Sequence, residues 1–81
     1  MDQDATLKIF FQPNSVAVIG ASNDSKKLGY VVLKNLIDGG YTKRGKVFPI
    51  NLKAPEILGY KAYPSVLEVP ETIDLAIIVV P

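Results

Sequence analysis

The chain contains no cysteine and no histidine among its 81 residues, and both absences restrict its function. Without cysteine it has no disulfide framework and no thiolate metal site, which suits a reducing compartment, so we expect a cytoplasmic protein. Histidine is the commonest general base and metal ligand. Its absence leaves this chain poorly equipped to catalyse a reaction on its own.

The chain also lacks a strong charge of either sign and a long apolar run. Nine basic and eight acidic residues give a formal net charge of +1, which offers no overall attraction to nucleic acid or to an anionic membrane. Its apolar runs are far shorter than the roughly 20 residues that span a bilayer, and Met1–Asp4 is acidic where a secretory signal is positive. We therefore expect neither nucleic acid nor membrane as a partner, and any anion site must be local.

The composition is that of one small globular domain. Hydrophobic residues make up 48% and charged residues 21% of the chain, which excludes a disordered tail and a fibrous protein. We therefore treat residues 1–81 as one domain, in which residues 1–12 lead into the first predicted strand.

Hydrophobic spacing predicts strands that alternate with helix. The β-branched run Ser15–Ile19 predicts a buried strand, and apolar positions three and four apart over Gly29–Gly40 predict a helix that packs on the sheet. A second strand is expected at Lys46–Ile50, where Pro49 favours a place near a sheet edge. The apolar run Leu75–Val80 predicts a strand buried on both faces at the centre of a parallel sheet.

Turn and cap signals are weaker. Polar residues before Lys26, Asp24 among them, offer N-caps for the helix, and Gly39-Gly40 supplies its left-handed stop. Residues 59–63 predict a short strand and residues 65–68 a helical turn.

This order of elements predicts an α/β fold, a Rossmann-like parallel sheet with flanking helices. Such doubly wound sheets have about five or six parallel strands, whereas this chain supplies about three or four. We therefore predict that the chain is the N-terminal part of a larger domain. An incomplete sheet exposes an apolar edge, so we expect self-association as a homo-oligomer, or partial disorder, in isolation.

The junction between the first strand and the helix is the strongest candidate site. The first amides of a helix lack intrahelical partners and carry partial positive charge, which stabilises a phosphate. Gly20 suits a tight turn after the strand, Gly29 suits close packing at the helix start, and Lys26 and Lys27 add positive charge. The glycine spacing matches neither the dinucleotide fingerprint nor the P-loop, so a plain turn stays open as an alternative.

The end of the second strand separates the candidate ligands. An NAD site carries an acidic residue there, whereas in this chain no carboxylate stands between the end of that strand at Ile50 and Glu56. Lys53 suits an added ribose phosphate, which both NADP and coenzyme A (CoA) carry. The residues alone do not decide between NADP and CoA. They also leave open that Lys53 is a solvated loop residue that contacts no ligand.

Several short motifs follow one another along the chain: Pro13-x-Ser15-Val-Ala-Val-Ile-Gly20-Ala-Ser22, Lys27-x-Gly29-Tyr30, Asn35-Leu36, Gly45-Lys-Val-Phe-Pro49-Ile-Asn51-x-Lys53, Gly59, Tyr63-Pro-Ser-Val66 and Asp74-Leu-Ala76 to Pro81. This ordered set resembles the CoA-binding domain of the NDP-forming acyl-CoA synthetases. That family includes the succinyl-CoA synthetase α subunit and the ADP-forming acetate–CoA ligases. The family has Pro-x-Asn-Pro-Lys after the second strand, and here Leu52 replaces the second proline.

The resemblance implies CoA as the cofactor. It implies that Ser22 and the following loop meet the CoA phosphates, that Lys53 meets the nucleotide part, and that Val79–Pro81 contact the pantetheine arm. The full set of candidate cofactor-binding residues is Gly20, Ala21, Ser22, Asn23, Lys26, Lys27, Gly29, Asn51, Lys53, Val79, Val80 and Pro81, with no catalytic residue and no metal ligand among them.

The resemblance also implies partners and a role. In the family a histidine on a later domain relays phosphate, so this chain, which has none, is expected to bind CoA while ATP-grasp and phosphohistidine domains or subunits perform the ligation. The leading hypothesis is the N-terminal portion of an ADP-forming ligase for acetate or a short-chain acid. The alternatives are a stand-alone CoA-binding protein, a lysine acetyltransferase with a ligase-like region, and an NADP-dependent oxidoreductase.

Overall fold

A computed structural model of the protein describes residues 13–80, so the predicted lead-in over residues 1–12 and Pro81 lie outside the described residues. The elements in chain order are β1 (Ser15–Ile19), α1 (Leu28–Asp38), a 3-10 turn (Tyr41–Lys43), β2 (Lys46–Ile50), β3 (Glu56–Ile57), β4 (Tyr60–Lys61), a second 3-10 turn (Val66–Glu68) and β5 (Leu75–Ile78). The predicted strands and helix are therefore present, and the predicted α/β class is confirmed.

The main sheet has three parallel strands in the order β2, β1, β5. Lys46 N–H donates to the Asn14 carbonyl and Gly20 N–H donates to the Ile50 carbonyl, so the even-numbered residues of β2 bond to the β1 side. Pro49, which has no N–H to donate, therefore faces away from β1, where its carbonyl accepts from Tyr63 N–H at 3.0 Å. This confirms the predicted place of Pro49 near a sheet edge.

Both faces of β1 are covered because its side chains alternate between two clusters. Val16 and Val18 pack with Leu33 of α1 on one face. Ala17 packs on the other face in a cluster with Phe48, Ile50 and Val69. Leu33 is fully buried, so α1 is fixed to the sheet by an apolar contact that contributes about 1.5–3 kcal/mol for that side chain alone.

Within residues 13–80 the last strand does not have the predicted central position buried on both faces. β5 pairs with β1 on one side and is the outer strand of the described sheet, so β1 is the central strand. Leu75 and Ile77 are half-buried against the α1 side, but Ile78 on the opposite face is 68% exposed. An apolar run leads to burial on both faces of a strand only where other elements cover both faces. Within residues 13–80, no element covers the face of β5 that carries Ile78.

The ends of α1 partly differ from the sequence prediction. The N-cap is Lys27, which makes no side-chain capping bond, rather than Asp24 or another polar residue of the preceding loop. The helix ends before Gly40, which adopts the left-handed conformation with φ of 81°, as predicted. Within residues 13–80, no helix has the length and apolar character needed to cross a membrane.

Residues 51–74 connect β2 to β5 without a second α-helix. β3 and β4 form a short antiparallel ladder, of which only the β4 part was predicted, because two residues are too few to carry a periodic pattern. The predicted helical turn is present at Val66–Glu68.

Candidate functional site

Two glycines allow the start of α1 to lie directly against the end of β1. Gly20 has a φ of 95°, and a Cβ atom there would lie 2.6 Å from the Val79 carbonyl oxygen. A Cβ atom on Gly29 would lie 1.8 Å from the Gly20 carbonyl oxygen. Since real Cβ atoms essentially never approach closer than about 3.0 Å, neither position accepts a side chain without movement of the backbone.

The first turn of α1 presents bare amides. Tyr30 and Val31 donate their N–H groups to the Lys27 carbonyl, at 3.1 and 3.3 Å, whereas the N–H groups of Leu28 and Gly29 have no acceptor within residues 13–80. No side chain caps this end and no acidic residue lies in the first turn. The partial positive charge of the helix terminus is therefore free to act on an anion.

The loop between β1 and α1, residues 20–27, is held by its own polar groups. Ser22 Oγ accepts the Asp24 N–H at 3.0 Å, and Asp24 Oδ1 accepts the Lys26 N–H at 3.0 Å. The Asp24 carbonyl accepts the Lys27 N–H at 2.9 Å. Asp24 thus closes the turn before the helix, which explains why it does not cap the helix itself.

The loop after β2, residues 51–55, is bonded to the first loop. Asn51 Oδ1 accepts the N–H groups of Lys53 and Ala54 at 2.8 and 2.9 Å, and Asn51 Nδ2 donates to the Ala21 carbonyl at 2.9 Å. Asn23 Nδ2 donates to the carbonyl of Glu56, the residue that follows this loop, at 3.0 Å. The two loops are therefore hydrogen-bonded to each other at the carboxyl ends of β1 and β2.

Two cavities adjoin at this edge of the sheet and form one groove. The first, of about 410 Å³, lies between the two loops and is bordered by Ser22, Lys53 and the end of β2. The second, of about 350 Å³, lies between the start of α1 and the end of β5, beside Leu28 and Val79. Gly20 and Lys27 line both cavities, so a single extended ligand can occupy the two.

The two ends of the groove differ in chemistry. Lys27 and Lys53 border the first cavity, and no carboxylate lines either cavity in the described part of the chain. The second cavity is bordered by the apolar side chains of Leu28, Val79 and Val80, of which Val80 is 70% exposed. The first cavity and its junction with the second at Lys27 thus favour an anion, and the stretch beside Val79 and Val80 favours an uncharged chain.

The structure brings most of the predicted site residues together. Those that line the groove are Gly20, Ala21, Ser22, Lys27, Gly29, Asn51, Lys53, Val79 and Val80. Asn23 and Lys26 are exposed residues of the same loop that line neither cavity. Pro81 lies outside the described residues.

Leu28 and Leu52 line the groove although they were not among the predicted site residues. Leu28 is 59% exposed beside the second cavity and Leu52 is 84% exposed beside the first. Each is next to a predicted site residue in the chain. That adjacency was the only available signal, since an exposed apolar side chain at a helix start or in a loop does not by itself indicate a ligand.

A parallel sheet, a glycine turn and an uncapped helix start at the carboxyl ends of the strands define a Rossmann-like α/β domain with a ligand groove at its usual place. A family model described as a CoA-binding domain matches residues 14–81. The chain belongs to this CoA-binding domain family.

Curated relatives carry the same segment within much longer proteins. The α subunit of the ADP-forming acetate–CoA ligase II of Pyrococcus furiosus is 57% identical over 93% of this chain, which spans 16% of that subunit. The ADP-forming acetate–CoA ligase of Methanocaldococcus jannaschii is 52% identical over 98% of this chain, which spans 11% of that protein. The chain is therefore homologous to a small portion of the ADP-forming acyl-CoA synthetases.

Solved structures agree with the fold. The apo form of dinucleotide-forming acetyl-coenzyme A synthetase 1 of Ca. Korarchaeum cryptofilum is 47% identical and superimposes with a TM-score of 0.87, over 93% of this chain and 16% of that one. A conserved hypothetical protein of Pyrococcus furiosus is 38% identical with a TM-score of 0.72, and this chain covers 55% of it. The fold thus occurs both in long synthetases and in a much shorter protein.

Proposed function

We propose that the groove binds CoA, and that the chain serves as the N-terminal, CoA-binding portion of an ADP-forming acyl-CoA synthetase for acetate or a short-chain acid. The observation that carries the proposal is the pair of adjoining cavities, one cationic and one apolar, that share Gly20 and Lys27. CoA has matching ends, because an anionic nucleotide is joined through its pyrophosphate to an uncharged pantetheine arm.

The cationic end suits the nucleotide and its phosphates. The amides of Leu28 and Gly29, which border the second cavity, would stabilise the pyrophosphate where the two cavities meet, together with Lys27, which lines both. Lys53 lines the first cavity, where it would meet the ribose 3′-phosphate. Asn51 occupies the place of the acidic residue of NAD sites, which favours a ligand with a phosphorylated ribose.

The apolar end suits the pantetheine arm. Leu28, Val79 and Val80 would line its path away from the sheet, and Pro81, outside the described residues, stays a predicted contact. The arm needs few polar partners, so affinity at this end comes from apolar contact with Leu28 and the valines.

Catalysis falls to other parts of the enzyme in this proposal. The chain has no histidine that could carry a phosphoryl group, so its role is to hold CoA with the thiol accessible. ATP-grasp and phosphohistidine domains, in the same protein or in partner subunits, would form the acyl phosphate and deliver the acyl group. A cytoplasmic location is part of the proposal, as expected for an enzyme that uses CoA and a nucleotide.

Isothermal titration of the full-length protein with CoA, NADP and NAD tests this proposal. We expect binding of CoA at least about tenfold tighter than that of NADP, which corresponds to about 1.4 kcal/mol. Lys53→Ala should weaken CoA binding, whereas Lys43→Ala, which removes an exposed lysine from the 3-10 turn after α1, should not. Preferential binding of NADP would refute the proposal.

A stand-alone CoA-binding protein is the second candidate. It is favoured by the Pyrococcus furiosus structure of which this chain covers 55%, since a domain of this kind fits a short protein as well as a synthetase. Acetate-dependent formation of ADP from ATP in the presence of CoA separates the two candidates. The full-length protein, with any partner subunit that copurifies, should show this activity if it is a ligase and should lack it if it only binds CoA.

A further inference from the structure

The side chain of Asn51 connects the two loops that border the cationic cavity. Its amide bonds to Ala21 in the first loop and to Lys53 and Ala54 in its own loop, all within 2.9 Å. The amide orientation is unambiguous, because its oxygen meets two N–H donors and its nitrogen meets a carbonyl. Asn51 thus engages three of the four hydrogen-bonding positions that an asparagine side chain offers.

These bonds determine where Lys53 lies relative to the helix start. Residues 51–55 follow β2, whereas residues 20–27 follow β1, so the cavity walls belong to different strands. Gly20 N–H donates to the Ile50 carbonyl at 3.2 Å and joins the two loops at their base. Beyond that base, the cross-loop bonds within residues 13–80 come from two amides, Asn51 to Ala21 and Asn23 to Glu56.

We infer that Asn51, assisted by Asn23, is a positioning residue that holds Lys53 at a fixed distance from the bare amides of α1, so that both can meet one ligand. This inference rests on the proposed binding of CoA, because a ligand that spans both loops is what makes their separation important. An unlinked second loop would have to be ordered when the ligand binds, and that ordering weakens affinity. Asn51 therefore acts through Lys53 rather than mainly by its own contact with the ligand.

Asn51→Asp is the sharpest test because it separates the two sets of bonds. A carboxylate still accepts the N–H groups of Lys53 and Ala54, but it cannot donate to the Ala21 carbonyl. Asn51→Ala removes both sets without adding charge, and Asn23→Ala removes only the second cross-loop bond. Asn35→Asp, at an exposed position of α1 outside the groove, is the control for a negative charge added to the protein as a whole.

Amide hydrogen exchange in the full-length protein gives a readout that does not depend on CoA. In Asn51→Asp, residues 20–24 should exchange faster while the amides of Lys53 and Ala54 stay protected; in Asn51→Ala, both loops should exchange faster. Asn35→Asp should leave both loops unchanged. Unchanged exchange in residues 20–24 of both Asn51 variants would overturn the inference, whatever the CoA result.

Titration with CoA completes the test. The dissociation constant should rise about tenfold or more in both Asn51 variants, and by a smaller factor in Asn23→Ala, since a lost bond leaves a polar group unpaired and a loop to be ordered. The relative loss in Asn51→Asp should persist at high salt, where a pure charge effect would shrink.

If Asn51→Asp does not melt cooperatively, Asn51→Ala and Asn23→Ala carry the test. Wild-type protein that does not bind CoA refutes the proposed function; wild-type protein that binds it no better than the folded Asn51 variants refutes this inference alone.

Discussion

Replacing Gly29 with alanine perturbs the contact between α1 and β1 on which the groove depends. The added Cβ atom would lie 1.8 Å from the Gly20 carbonyl oxygen, so the helix start must withdraw by about 1.2 Å to reach the closest tolerated distance of about 3.0 Å. Overpacking of a core costs about 1–3 kcal/mol, and here the opposing atom is backbone that cannot rotate away. We expect Gly29→Ala to lower the free energy of unfolding by about 3 kcal/mol. A typical domain is stable by only about 5–15 kcal/mol, so this loss is large.

Urea unfolding followed by circular dichroism measures this loss. Gly40→Ala is the control, because Gly40 has a φ of 81° and an added Cβ atom there meets nothing within 4 Å. Its free energy of unfolding should fall only by the cost of placing alanine in the left-handed conformation, about 1–2 kcal/mol. Alanine is a better helix former than glycine by about 1 kcal/mol, so Gly29→Ala would be stabilising if the helix start were not in close contact with the strand. If Gly29→Ala were as stable as the wild type or more so, the close contact between helix and strand would be refuted.

Three further outcomes are expected. Lys27→Ala should weaken CoA binding about threefold to tenfold, and titration at rising salt should show that this difference shrinks. Leu33→Ala should lower the free energy of unfolding in urea by about 2–5 kcal/mol, because Leu33 is fully buried between α1 and the sheet. Burial and the nearby Asp74 raise the pKa of Tyr41 above its ordinary value of 10.0, so its contribution to stability is complete below pH 10.0 and falls as the pH rises past that value. Denaturation midpoints at about pH 9 and about pH 11 should therefore differ more in the wild type than in Tyr41→Phe, and an equal difference would contradict the assignment.

The strands and helix that carry a clear period were predictable from the sequence. β1, α1 and β2 each combine an apolar pattern with a glycine or proline whose conformational needs mark a boundary or an edge. The place of β5 was not predictable in this way. Its apolar run shows that both faces can be buried, but which elements cover a strand depends on the whole sheet rather than on the strand itself.

The glycines of the candidate site were predictable, but the bonds between its loops were not. Gly20 and Gly29 stand where a strand pattern ends and a helix pattern begins, and close approach at such a junction is a local requirement. Asn51 and Ala21 are 30 residues apart, and their bond depends on the parallel register of β1 and β2. The absence of a side-chain cap on α1 was equally hidden, because Asp24 has a capping side chain that the loop uses for its own turn.

The location of the CoA phosphates in a complex tests the central claim most directly. In a crystal structure of the full-length protein with CoA, the pyrophosphate should accept hydrogen bonds from the amides of Leu28 and Gly29. The ribose phosphate should lie beside Lys53 and the pantetheine arm along Val79 and Val80. CoA bound at saturating concentration with its phosphates away from the start of α1 would contradict the account.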